Sequence, residues 1–237
     1  MGTKTHALGW DEFRRYVDAL NRAEGRLLPY AAACAVIIGT GARVGEAVTL
    51  RDRDLFFPDG QPRPEITRTL EKKRGSLKRL TVAFPWEYLG SPVRRWRAAA
   101  RERFLLRPDD PVFAVRYRRQ PMNRVHVLRC NRELLAAAGI NPRGVGLHGL
   151  RKTFLRAVYR QRIHEGDDMM NAIRHVQKLA GHARFETTLI YLMDEIEGSH
   201  RDTIQNVFSA LFQNEQLSTS REKINQITSN TDERKSK

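Results

Sequence analysis

Leu147-His148-Gly149-Leu150-Arg151-Lys152-Thr153-Phe154 is the stretch on which the reading of this 237-residue chain turns. His148 and Arg151 stand three residues apart, so on a helix they share one face, and one face can meet one phosphate. Downstream, Gly181-His182 precedes Tyr191; upstream lies Thr40-Gly-Ala-Arg43-Val-Gly-Glu46-Ala-Val-Thr-Leu50. A guanidinium donates two hydrogen bonds to phosphate oxygens while keeping its charge. An imidazole moves protons near neutral pH, and a phenol beside cations can attack as a phenolate. Singly, each group has a plainer default: an arginine in so basic a chain is a surface or ion-paired residue, and a histidine a satisfied imidazole. Tyr191, set in Leu189-Ile-Tyr-Leu-Met193, is by default a core aromatic. His164 and His175 are read in that plain way. The ordered set is what points to chemistry on a phosphodiester.

Composition agrees about the partner. There are 42 Lys and Arg against 27 Asp and Glu, a net charge of +15. Residues 213–237 hold five basic and four acidic side chains, which leaves 37 against 23, or +14, in residues 1–212. The charge therefore belongs to the body, and a polyanion is the implied partner. No apolar run approaches the roughly 20 residues that span a bilayer, and no signal-peptide pattern opens the chain. The expectation is a cytoplasmic protein, nucleoid-associated if prokaryotic, with no membrane contact. Cys34 and Cys130 stand apart from each other and from ligand partners, supplying neither a disulfide framework nor a zinc cluster. Neither metal nor cofactor is expected.

Periodicity organises the rest. Trp10 to Ala23 has helical spacing, and Leu27 to Ile38 is nearly continuous apolar sequence of helix length, hence a buried helix. Gly39-Thr-Gly41 breaks it, and helical spacing resumes from Arg43 to Leu50, so that Arg43 opens a helix beside a core. Glu65–Leu70 and Lys78–Phe84 read as strands of a basic hairpin around Lys72-Lys-Arg-Gly-Ser76. Helices follow over Pro92–Leu106, Asn123–Ala138, His148–Ile163, Asp168–Leu179 and Phe185–Met193. Residues 91–132 carry twelve arginines against three acids, the densest positive segment. A last amphipathic helix is expected over 200–212, and a polar, disordered tail over 213–237.

These boxes resemble those of the tyrosine recombinase (phage integrase) family, over about residues 7–212. Thr40–Leu50 is similar to the family's first box, and Leu147–Phe154 to its His-x-x-Arg box. Leu179-Ala-Gly-His-Ala-Arg-Phe-Glu-Thr-Thr-Leu-Ile-Tyr191 is similar to the third, with the family's usual nine residues from histidine to tyrosine. The resemblance implies catalytic roles for Arg43, His148, Arg151 and His182, with Tyr191 the nucleophile. It also implies a hairpin lysine, for which Lys73 is the choice and Lys72 and Lys78 the neighbours. The implied fold is α+β and mainly α-helical: a catalytic-domain helical bundle with a small antiparallel hairpin, spanning residues 1–212. No N-terminal DNA-clamping domain is evident. Two further departures are the long Arg151-to-His182 interval, where an extra turn or lengthened helix is expected over 159–170, and Lys152 where the family often has histidine.

The implied activity is site-specific recombination through a covalent 3′-phosphotyrosyl link, for integration, excision, inversion or resolution. Implied partners are double-stranded DNA, further copies of the chain in a tetramer, and accessory DNA-bending proteins. Family habit would dock the 200–212 helix on a neighbouring subunit; packing within one subunit is the alternative. Binding through the arginine-rich 91–132 segment and the hairpin is expected to weaken steeply with salt. Three other readings stay open: a type IB topoisomerase that rejoins the original strands, a non-catalytic DNA-binding regulator, and a metal-dependent nuclease. The last lacks a carboxylate cluster at ligand spacing.

Overall fold

The axis of the fold is α2, Leu28–Thr40, because its alanine-rich sequence lets neighbours approach on every side. All residues from Ala31 to Thr40 are buried. Around it pack α1 (Trp10–Arg22), α5 (Trp86–Phe104), α6 (Arg124–Ala137) and α7 (Leu147–His164). Short helices α3 (Val44–Val48) and α4 (Asp52–Leu55) lead into the hairpin, and α8 (Met169–Ala180) follows α7. Residues 185–193 are again helical. This computed structural model describes residues 6–70, 78–114, 120–193 and 196. The chain divides into two units after Tyr191, and helices α1 to α8 and the hairpin all belong to the first. Lys72 and Lys73, the 200–212 segment and the 213–237 tail lie outside the described residues.

The expected mainly helical fold with one antiparallel hairpin is what forms. β1 (Glu65–Leu70) runs antiparallel to β2 (Lys78–Ala83), with Glu65 opposite Ala83 and Leu70 opposite Lys78. Ile66, Arg68 and Leu70 point inward, while Thr67 and Thr81 share a 2.9 Å hydrogen bond on the other face.

Two boundaries differ from the sequence reading. The helix expected to open at Pro92 begins at Trp86, with Pro92 inside it. The added turns are held by Trp86, whose indole packs on Phe84 and Phe56 at centroid distances of 4.8 and 5.3 Å. Its Nε1 also donates to the Arg63 carbonyl at 2.5 Å. The helix expected over Arg43–Leu50 is shorter, Val44–Val48, and Arg51 starts a second capped turn. The long 159–170 stretch is taken up by the end of α7, which runs to His164, and by a corner where Arg162 grips Asp167 at 2.7 Å and Glu165 at 3.0 Å.

One buried ion pair fastens α5 to α4. Arg97 Nε and Nη2 donate to the two Asp52 oxygens at 2.6 and 3.0 Å, with the guanidinium over the Phe56 ring. Removing one partner strands the other charge in the core, at about 3 kcal/mol. Arg97→Met is therefore expected to lose roughly that stability in urea unfolding, and Asp52→Leu with Arg97→Met to recover most of it. Equal losses in the single and double variants would show that the pair is immaterial. Among the described residues, no helix is long and apolar enough to cross a membrane.

Candidate active site

α2 stops at Gly41, whose positive φ of 64° turns the chain out of the helix. A β-carbon there would also lie 2.5 Å from Phe154 Cδ1, so only glycine lets α7 close on this turn. The freed Gly41 carbonyl accepts a hydrogen bond from Arg151 Nη1.

Arg43 comes next, at the N-cap of α3, and Glu46 holds it twice. Glu46 Oε2 accepts from the Arg43 backbone N–H at 3.0 Å, and Oε1 from Arg43 Nη1 at 2.8 Å. Burial alone would raise the Glu46 carboxyl, but Arg68 and then Arg43 outweigh it and hold its pKa below the usual value. The Glu46 side chain is fully buried, whereas that of Arg43 keeps 35% of its surface exposed, enough to meet a ligand.

The α7 face expected from the three-residue spacing is present. Arg151 is 1% exposed and committed to the fold: Nη1 to the Gly41 carbonyl, Nη2 to the Ala180 carbonyl at 2.5 Å and to His182 Nε2 at 3.2 Å. Those bonds occupy three of its five N–H hydrogens. Burial, then Arg43 and Arg68, push its pKa down to about 10, so it stays charged at neutral pH.

α8 ends as α2 does, at a left-handed glycine, Gly181 with φ 61°. The turn delivers His182 against Arg151. Because a guanidinium only donates, His182 Nε2 is the acceptor, and Nδ1–H donates to Thr188 Oγ1 at 3.1 Å. Burial, then Arg151 and Arg43, push the His182 pKa down to about 4. Neutral His182 thus stabilises the fold fully above the unfolded histidine pKa of roughly 6.5, and that stability is lost as pH falls toward 4. Urea unfolding free energy is expected to fall more steeply between pH 7 and about 4.5 in wild type than in His182→Gln. Parallel slopes would rule this out.

Tyr191 closes the group. Its hydroxyl is hydrogen-bonded to His148 Nε2, and its ring lies 5.0 Å from that of His148 and 4.9 Å from that of His182. Burial raises the phenol pKa, with Arg151 and Arg43 pulling the other way. Burial and the same two arginines lower the His148 pKa. At neutral pH the pair is a protonated phenol facing an imidazole that can accept its proton. The structure therefore brings His148, Arg151, His182 and Tyr191 together. Arg43 reaches them by its charge, and Lys73 lies outside the described residues.

The phage integrase family model matches residues 8–197. The chain belongs to the phage integrase family. Among curated proteins nothing matches it. Of solved structures, it is similar to the XerH site-specific recombinase in a post-cleavage complex with palindromic difH substrate, at TM-score 0.64 and 18% identity, covering 85% of this chain and 53% of that one. XerA recombinase aligns at TM-score 0.58 and 26% identity, over 84% and 66% of the two chains. A lambda integrase dimer bound to a COC′ core site aligns at 0.51 and 18%, over 81% and 49%. This phage integrase family member thus spans about half to two thirds of those chains, and at 18% identity the likeness to XerH and to the lambda integrase is one of fold.

Sequence reading of this family member missed three supports. Arg68 donates to Glu46 and, at 2.5 Å, to the Leu179 carbonyl. Thr188 orients His182, and Glu46 holds both Arg43 and Arg68. A signal for Arg68 existed: a charge on the apolar phase of a strand, between Ile66 and Leu70.

Proposed function

We propose that this chain is the catalytic domain of a site-specific DNA recombinase that cleaves and rejoins strands through a 3′-phosphotyrosyl link, with residues 1–212 forming that domain and 213–237 a tail. The observation that carries the reading is the Tyr191 hydroxyl bonded to neutral His148 beside a buried, charged Arg151. In the proposed step Tyr191 Oη attacks phosphorus, the P–O5′ bond breaks, and the tyrosine proton passes to His148 Nε2. Arg43 and Arg151 neutralise the non-bridging oxygens, supplying the positive charge the transition state needs. His182 orients Arg151. Lys73 is the proposed acid that protonates the departing 5′-oxygen. Attack by another 5′-hydroxyl on the phosphotyrosine reverses the chemistry and exchanges strands.

The proposed partners are double-stranded DNA and further copies of the chain. A lambda integrase tetramer bound to a Holliday junction supports a tetrameric working complex. Accessory DNA-bending proteins and a cytoplasmic, nucleoid-associated setting belong to the same reading. The test is covalent trapping: wild-type protein on nicked duplexes carrying candidate sites should give a protein–DNA adduct. Binding without any adduct would overturn the reading. An adduct resolved only to the original ends would point to strand relaxation instead.

A further inference from the structure

We propose that Arg68 is a positioning residue that holds the Arg43 segment and the His182 turn in fixed register. This rests on the recombinase reading above. Arg68 occupies an inward position of β1 where a leucine would satisfy the strand's alternation, and it is 1% exposed. Burying a guanidinium there carries a desolvation cost, which Glu46 only partly offsets, so Arg68 keeps a lowered pKa. Packing therefore does not account for its presence.

Its two ends do. Nη1 donates to Glu46 Oε2, the same oxygen that accepts the Arg43 backbone N–H, while the other Glu46 oxygen holds Arg43 Nη1. Nη2 donates to the Leu179 carbonyl at 2.5 Å. The next carbonyl, Ala180, takes Arg151 Nη2 at 2.5 Å, and His182 follows two residues later. Arg68 is thus a planar strut between the first-box carboxylate and the end of α8. The strand it sits on packs against this turn: a β-carbon at Gly181 would fall 2.6 Å from Leu70 Cδ1. Three guanidiniums and one carboxylate make a single network in which both Nη ends of Arg68 are spent on the fold, one on Glu46 and one on the Leu179 carbonyl. A lysine keeps the charge but offers one point where the fork offers two.

The experiment uses the full chain with Arg68→Lys and Arg68→Gln, on a nicked duplex that wild type converts to adduct. DNA affinity is expected to stay within about threefold, while the single-turnover adduct rate falls roughly 10- to 100-fold, as a small misplacement of catalytic groups does. Histidine NMR titration without DNA should show the His182 midpoint rising from about 4 toward the ordinary range in both variants. A rate within threefold of wild type in folded Arg68→Lys would overturn the proposal. So would a rate lost only in proportion to the unfolded fraction, with His182 titrating as in wild type. If wild type itself forms no adduct, the recombinase reading fails, and the His182 titration still decides whether Arg68 sets the turn.

Discussion

Tyr191→Phe protein is expected to bind a nicked site as tightly as wild type and to leave no protein on the DNA. No other substitution should have a larger effect, and this one isolates a single atom. The ring that packs beside His148 and His182 is retained, and the lost hydrogen bond to His148 sits at a partly exposed position, so stability should change by about 1 kcal/mol or less. What disappears is, among the described residues, the one tyrosine hydroxyl whose ring is set against both histidines. On the proposed mechanism, no bond to phosphorus forms without Oη, and the adduct should fall by about 10⁴-fold or more, to background. Denaturing gels of nicked duplex, run beside a binding titration, read both quantities. A persistent adduct in the phenylalanine protein would mean that another residue is the nucleophile.

Arg151→Lys should cost nearly as much, for a different reason. Charge is kept, but an ammonium cannot serve the Gly41 carbonyl, the Ala180 carbonyl and His182 Nε2 from one plane and still face a phosphate. Loss of a preorganised guanidinium at a phosphoryl centre is typically worth 10³-fold or more, and about 10³ is expected in the single-turnover adduct rate. DNA affinity should fall only a few-fold, because Arg151 is 1% exposed and, on the proposed mechanism, one phosphate contact among many. The two carbonyls it leaves behind should also lower the unfolding midpoint by several degrees. Adduct formation within tenfold of wild type would show that the phosphate charge is met elsewhere.

How far the chain could be read from its residues depended on whether the cause was local. α2 was legible because continuous apolar sequence of that length has one outcome in a domain, burial on all sides. The hairpin was legible from two β-rich runs on either side of a turn-like stretch, and His148 with Arg151 from helical spacing. The end of α3 and the early start of α5 were not, since each depends on distant partners: Arg51 on Asp109, Trp86 on the Arg63 carbonyl. The same holds for the site. Order and spacing brought out Arg43, His148, Arg151, His182 and Tyr191 as candidates, but no spacing rule joins Arg68 to Leu179 across 111 positions, or pairs Asp52 with Arg97.

The attachment of Arg151 to Gly41 on one side and Ala180 on the other has a consequence for the order of synthesis. Chains emerge from the ribosome N-terminus first and fold as they come. Gly41, Glu46 and Arg68 are out before Arg151, and Arg151 before the α8 end that fixes it. Tyr191 is the last of the group to appear. On the proposed mechanism, a nascent chain carries no nucleophile until the groups that would direct it are already translated, so an unfinished polypeptide cannot nick DNA.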